Sequence, residues 1–346
     1  MLANSEIKFL ALDSRRVAYE KRGEGPPLVA PAWWVSHLEL DWQNSDFRRF
    51  WEGIAGSHTL VRYDRLGVGM SDRAVRESDL TIEGEVATLR ALLDELDMAR
   101  VTLIGGSCGS CTAIAFAAMY PERVERLVLY GSYPDGTEIT APGVGDAIIA
   151  AVRAHWGLGS RVLSDIFLGA AEPAEQERFA RLQREAATAE AAAELLAFVY
   201  RLDIRTWLPA VRSPTTVIHR RDDRAVPFRL GREVAAAIPD ATFVPLHGTA
   251  HFPWHGDVDS VARACREALM PPTAPHEAGE PGSVLLSRRE REVLACIARG
   301  LTDREIAEQL VLSSHTVHRH VANIRRKLGR NSRSAAVAEA ARLGLI

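Results

Sequence analysis

The chain has 346 residues, 47% hydrophobic and 25% charged, with a net charge of −3. This is more than one ordinary core accommodates, so about two globular domains are expected, and the composition excludes a disordered or fibrous chain. No apolar run approaches the roughly 18 residues of a membrane-spanning helix, and Met1 to Asp13 lacks the pattern of a secretory signal, so a cytoplasmic protein is expected.

Two early segments, Ile7 to Leu12 and Arg16 to Glu20, read as an antiparallel entry pair. Apolar and β-branched runs then alternate with helical patterns in the manner of a parallel sheet flanked by helices. The predicted strands are Leu28 to Ala32, Leu60 to Asp64, Val101 to Gly105, Leu127 to Tyr130, Thr215 to His219 and Thr242 to Leu246. Between the fourth and fifth of these lie about 80 residues of helical composition, 133–211, including the alanine-rich run Ala186 to Leu196. An insertion there caps the carboxyl ends of the strands, where open α/β sheets place ligands.

The strand Val101 to Gly105 runs into Gly105-Gly106-Ser107-Cys108-Gly109 and then an apolar helix from about Ser110 to Met119. In a G-x-S-x-G elbow the serine sits on a strained strand-to-helix turn, and side chains at the outer glycines would collide with neighbouring elements. The turn exposes the Ser107 hydroxyl and points the backbone N–H of Cys108 toward a developing oxyanion. A serine nucleophile needs a base, and the base needs a carboxylate to fix its tautomer. Asp223, after one strand, and His251, after the next, supply both in the order Ser, Asp, His. The alternative is a plain turn with a solvated Asp222-Asp223 pair and a loop histidine. Cys108 and Cys111 have a redox-like spacing, but with Cys265 and Cys296 they are too few and scattered for a disulfide framework or a zinc site, so reduced thiols, no metal and no cofactor are expected.

With the elbow and triad in hand, residues 1–270 resemble the α/β-hydrolase fold family. Val61-Arg62-Tyr63-Asp64-Arg65-Leu66-Gly67-Val68-Gly69-Met70-Ser71-Asp72 is similar to that family's loop after an early strand, and Pro31-Ala32-Trp33-Trp34 stands where the family has His-Gly. The resemblance implies that the backbone N–H of Trp33 is the second oxyanion donor. Trp33 and Arg220 both occupy places where glycine is common, which bears on catalytic competence more than on fold. Trp34, Trp156 and Phe252 are candidate contacts to an apolar ester- or lactone-like ligand, although such aromatics are more often core packing than recognition.

Residues 271–283, with four prolines and two glycines and no large apolar side chain, read as a linker. Beyond it the charge changes sign: 284–346 carry 12 Arg/Lys against 6 Asp/Glu, a net of +6, and the rest of the chain carries −9. A basic tail on an acidic body suits attraction of the tail to phosphates.

Ser287-Arg-Arg-Glu290 and Thr302-Asp-Arg-Glu305 are capping boxes that open two helices, burying Val293, Leu294, Ile297 and then Ile306 and Leu310. Ser313 caps a longer helix to about Leu328, with Val317, Val321, Ile324 and Leu328 at core spacing and His318, Arg319, Ala322, Asn323, Arg325 and Arg326 on the other face. A small helical bundle with a charged exterior would show the same pattern. Leu285 to Ile346, however, is similar to the LuxR-type (GerE-like) helix-turn-helix across its length, in Leu-Ser-Arg-Arg-Glu-Arg-Glu-Val-Leu, in Thr316-Val317-His318-Arg319-His320 and in Lys327-Leu328-Gly329. That resemblance implies double-stranded DNA as a partner, contacted by Thr302, Ser314, Thr316, Val317, His318, Arg319, Asn323 and Lys327, and pairing into a homodimer through about Ser334 to Leu343. The expected fold is an α/β-hydrolase sheet with a helical cap plus a small all-α helix-turn-helix domain. The expected function is a regulator whose hydrolase-like part senses a small molecule, the alternative being a serine hydrolase with an accessory DNA-binding part.

Overall fold

Because parallel strands covered on both faces need apolar side chains throughout, the short apolar runs become the interior of a sheet. The computed structural model describes residues 6–270, 286, 288–310, 312, 314–330 and 332–346, with backbone alone for Arg288, Ser314, His315, Arg319 and Arg326. The linker at 271–283 and the caps Ser287 and Ser313 lie outside the described residues. The chain divides into two compact units, Met1–Met270 and Pro271–Ile346.

The first unit holds eight strands: β1 (Ile7–Leu12), β2 (Arg15–Arg22), β3 (Pro27–Ala30), β4 (Thr59–Tyr63), β5 (Val101–Gly106), β6 (Val124–Tyr130), β7 (Thr215–Arg220) and β8 (Thr242–Leu246). They form one sheet in the order β1-β2-β4-β3-β5-β6-β7-β8. β1 and β2 pair antiparallel, as does β2 with β4, and every pairing from β4 onward is parallel. Every residue of β5 is buried, as a central strand requires. β6 begins three residues earlier than expected, because the polar Glu125 and Arg126 lie near its open end and hide the strand pattern.

The helices of this unit are α1 (Ser45–Ala55), α2 (Ile82–Glu95), α3 (Cys108–Met119), α4 (Val144–Ala154), α5 (Trp156–Leu168), α6 (Pro173–Ala186), α7 (Ala189–Arg201), α8 (Phe228–Ala237) and α9 (Val258–Leu269). Their starts follow local chemistry. Asn44 accepts from the N–H groups of Asp46 and Phe47, Thr81 from Gly84, Thr188 from Ala191 and Asp257 from Ser260, each satisfying a donor that the first turn leaves open. Helices α4 to α7 occupy the insertion between β6 and β7. None of the described helices is long and apolar enough to cross a membrane.

The second unit contains α10 (Arg288–Ala298), α11 (Asp303–Leu310), α12 (Ser314–Lys327) and α13 (Arg333–Arg342). Val293, Leu294 and Ile297 of α10, Ile306 of α11, Val317, Val321, Ile324 and Leu328 of α12, and Ala336 and Ala340 of α13 make its core. So small a core leaves little margin. Ile324 is 1% exposed, so Ile324→Ala is expected to cost about 2–5 kcal/mol and to lower the melting transition of this unit in calorimetry while leaving that of the first unit in place.

Candidate active site

The turn from β5 into α3 is built by close packing. A Cβ on Gly105 would stand 2.6 Å from Ser110 Cα, and one on Gly109 2.7 Å from the Pro31 carbonyl oxygen, so neither position admits a side chain without backbone movement. Between them Ser107 adopts φ 52°, ψ −129°, a conformation that L-residues rarely take. This strained residue is the N-cap, so α3 starts at Cys108, two residues before the sequence-based expectation. Ser107 therefore directly precedes the first turn of a helix, where unpaired N–H groups favour negative charge, although its side chain makes no capping bond.

The end of β6 ties the three candidate catalytic residues together. Ser107 N–H donates to the Tyr130 carbonyl at 2.9 Å, and a Cβ on the next residue, Gly131, would stand 3.0 Å from His251 Cε1 and 3.6 Å from Asp223 Oδ2. His251 Nδ1 bonds Asp223 Oδ2 at 2.8 Å, and Asp223 Oδ1 accepts from the N–H groups of Ala225 (2.9 Å) and Val226 (3.0 Å). Burial alone would raise the Asp223 carboxyl, but the His251 imidazole and these donors outweigh it and hold Asp223 below the ordinary carboxylate value. His251 Nε2 is buried and has no hydrogen-bond partner among the described residues, so the expected hydroxyl-to-imidazole bond with Ser107 is not made. In hydrolases without substrate that link is commonly loose.

Two buried arginines that sequence reasoning did not assign set the flanking loops. Arg220, 1% exposed, donates to the carbonyls of Ala250 (2.8 Å), Phe252 (3.1 Å), His255 (2.7 Å) and Asp257 (3.2 Å), gripping the loop that carries His251. Arg65 donates to the Ala32 carbonyl at 2.8 Å and pairs with buried Glu85 at 3.2 Å, fixing the loop that carries Trp33. Both arginines stood inside motifs that were read; their partners 20 to 37 residues distant were not readable.

The aromatic candidates separate. Trp33 packs over the elbow, where a Cβ on Gly106 would overlap its indole, and it meets Phe252 and Trp254 at centroid distances of 5.5 and 4.9 Å. Trp34 is buried 6.0 Å from Phe167. Trp156 Nε1 donates to the Ala187 carbonyl at 2.9 Å, joining the start of α5 to the end of α6. Of Trp34, Trp156 and Phe252, only Phe252 lines the chamber of about 440 Å³ that opens between the Trp33 loop, α1 and α6. Cys108 and Cys111 are free, buried thiols, both pushed up by burial, the opposite of what a redox thiolate needs.

In the second unit, Thr302 N–H and Oγ1 donate to Glu305 Oε2 at 2.7 Å, completing the box that opens α11. His318 is exposed, with Nδ1 3.7 Å from Asp303 Oδ2, and Thr316 and Asn323 are half-buried. Val317 is fully buried in the helical core, so its side chain makes no surface contact: its core spacing prevails over its place in the motif. Lys327 Nζ pairs with buried Glu290 at 2.7 Å, so its charge is shared inside the unit. The side chains of Ser314 and Arg319 are outside the described set.

Residues 42–255 match the family model for the alpha/beta hydrolase fold, and residues 284–340 that for bacterial regulatory proteins of the luxR family. The chain belongs to the α/β-hydrolase fold family, and its C-terminal part is a LuxR-type domain. It is 31% identical over 212 residues to a 2-hydroxy-6-oxononadienedioate/2-hydroxy-6-oxononatrienedioate hydrolase of Cupriavidus pinatubonensis, covering 58% of this chain and 72% of that one. It is 28% identical to a 2-hydroxy-6-oxo-2,4-heptadienoate hydrolase of Pseudomonas putida, covering 60% and 71%. The enol-lactonase from Burkholderia xenovorans superposes with a TM-score of 0.63 at 22% identity, over 76% of this chain and 99% of that one.

Next to the triad, His219 is buried with Nε2 3.6 Å from Asp223 Oδ2. Burial lowers its pKa, against the pull of Asp223, so the folded state holds it neutral below its ordinary value of 6.5. The unfolded chain therefore binds the extra proton as pH falls. The contribution of His219 to stability is fully present above its ordinary value of 6.5 and is lost progressively as pH falls below it. The unfolding midpoint in urea is expected to fall over that range, and His219→Gln, which cannot gain the proton, is expected to flatten the dependence.

Proposed function

We propose that this protein is a DNA-binding transcriptional regulator whose α/β-hydrolase unit binds, and can hydrolyse, a small apolar ester- or lactone-like ligand, with occupancy of that unit controlling occupancy of a promoter. The observation that carries the reading is the coexistence, in one chain, of a hydrogen-bonded Asp223–His251 pair beside a strained elbow serine and a LuxR-type domain. In this reading residues 1–270 are the sensor, 271–283 the tether and 284–346 the reader, and the protein works in the cytoplasm as a homodimer on a two-fold site. Helix α12 enters the major groove, with Thr302, Thr316, His318, Asn323 and Lys327 contacting bases or backbone, and Ser314 and Arg319 carried over to the same role from the family's motif alone.

The chemistry of turnover follows from the residues. Ser107 Oγ attacks the acyl carbon as His251 Nε2 takes its proton, and Asp223 steadies the imidazolium through Nδ1. The N–H groups of Trp33 and Cys108 hold the oxyanion, the leaving oxygen receives the proton back from His251, and water then repeats the sequence on the acyl-enzyme. The relatives named as hydrolases support this reading. A second reading, a hydrolase with an accessory DNA-binding part, is favoured by the Asp223–His251 bond, since a sensor that only binds has no need of a fixed imidazole tautomer.

The two readings part in one pair of measurements. Genomic duplexes enriched by the full chain are expected to bind with an affinity that changes on adding an ester or lactone identified by thermal shift. Ser107→Ala is expected to lower ester turnover at least about a thousandfold while leaving the ligand's effect on duplex binding intact. Fast turnover combined with duplex binding that shows no sequence preference and ignores the ligand would establish the hydrolase reading instead.

A further inference from the structure

We propose that Phe167, in the last turn of the inserted helix α5, is a positioning residue for His251, so that a shift of the insertion is felt at the catalytic imidazole. This rests on the reading of His251 as the base for Ser107 and adds to it a link from the insertion to that base. The link begins in the backbone. The last carbonyls of a helix have no partner within it, and in α5 that of Phe167 accepts the N–H of His251 at 2.7 Å. Gly169, which ends the helix, takes φ 65°, and a Cβ there would stand 2.6 Å from Oγ1 of Thr249, two residues before His251. The end of α5 therefore lies directly against the loop that carries the histidine.

The side chain adds a second hold. The Phe167 and His251 rings stack with centroids 5.8 Å apart and 27° between their planes. A single hydrogen bond from Nδ1 to Asp223 leaves an imidazole able to swing about that bond, and a flat ring stacked on it restricts the swing. Phe167 is itself held. It meets Trp34 at 6.0 Å, Phe252 at 5.4 Å and Phe179 at 6.3 Å between centroids, so it presents its ring to the imidazole from inside an aromatic cluster.

The same turn of α5 reaches the loop of the acid. Asp165 pairs at 2.9 Å with Arg224, the residue after Asp223, and the Arg224 N–H bonds the Thr249 carbonyl at 3.2 Å, joining the two catalytic loops. The Asp165–Arg224 pair is about half exposed, so it orients more than it stabilises. Arg220 thus holds the histidine loop through its carbonyls, while α5 holds His251 through its N–H and its ring. A displacement of α5 takes both of these contacts away from the imidazole or carries it along.

Two measurements on the full-length chain test this. One is the rate constant at which a saturating fluorophosphonate modifies Ser107. The other is water exchange of the His251 Nδ1 proton, followed by its far-downfield NMR resonance, identified by its loss in His251→Gln; it requires no turnover. Phe167→Ala is expected to slow modification by at least about tenfold and to speed the proton's exchange, because a small misplacement of a catalytic group is enough for such a loss. Phe167→Leu, which keeps apolar bulk without the flat face, is expected to move both in the same direction, and Phe167→Tyr, which keeps the ring, to restore both. Phe198→Ala removes a buried ring of α7 that makes no ring contact with His251 among the described residues; it is expected to lower the melting transition and leave both readouts unchanged. The proposal is overturned if proton exchange in Phe167→Ala and Phe167→Leu matches that of the unaltered chain, if the tyrosine fails to restore it, or if Phe198→Ala moves it as far. Should Ser107 of the unaltered chain resist the reagent, the turnover reading fails, and proton exchange alone still decides whether Phe167 positions His251.

Discussion

A guanidinium removed from water is tolerated only where acceptors replace its hydration, and the architecture around Ser107 depends on meeting that demand. Arg220 meets it with four backbone carbonyls drawn from a single loop between Ala250 and Asp257. The loop cannot move without stripping acceptors from a buried cation, so its shape, and with it the height of His251 above the sheet, is set from beneath. Arg65 meets it only in part, through Nη2 to the Ala32 carbonyl and Glu85, its Nε and Nη1 having no partner among the described residues. If His251 acts as the proposed base, it needs placement to about 0.5 Å, and a loop of ordinary surface character would not provide it.

This explains why a feature that reads as a defect in the sequence becomes a support in the structure. Arg220 replaces a glycine common in the family, which suggests crowding near the acid, whereas its side chain runs beneath the histidine loop and leaves Asp223 free to take the N–H groups of Ala225 and Val226. Trp33 is a related case with a different outcome. Its indole rests on Gly106 and joins the ring cluster with Phe252 and Trp254, so the loop carrying Trp33 is anchored by aromatic packing that a glycine there would not supply.

What could be read from the sequence was whatever is periodic or local. The strands from Leu28 to Leu246 and the stripe Val317, Val321, Ile324, Leu328 follow from spacing, and the elbow follows from five adjacent residues. The candidate triad was legible because each member closes a strand. Local reasoning missed by two residues at the start of α3, since only the positive φ of Ser107 lets the helix begin at once. It could not decide Val317, whose helical spacing and whose motif point to opposite faces; burial decides it. Nor could it find contacts set by tertiary closure: Lys327 with Glu290 across 37 residues, or the chamber, whose walls come from four separate stretches of chain.

The pairing of a hydrolase unit with a DNA reader also limits what the ligand can accomplish. A ligand shifts duplex occupancy only to the extent that it binds the DNA-competent form more or less tightly than the other form, and typical couplings of about 1–3 kcal/mol correspond to roughly 5- to 150-fold. Turnover would work against such a sensor, because hydrolysis discards the differential binding on which the signal rests, unless the product prefers the same form as strongly as the substrate does.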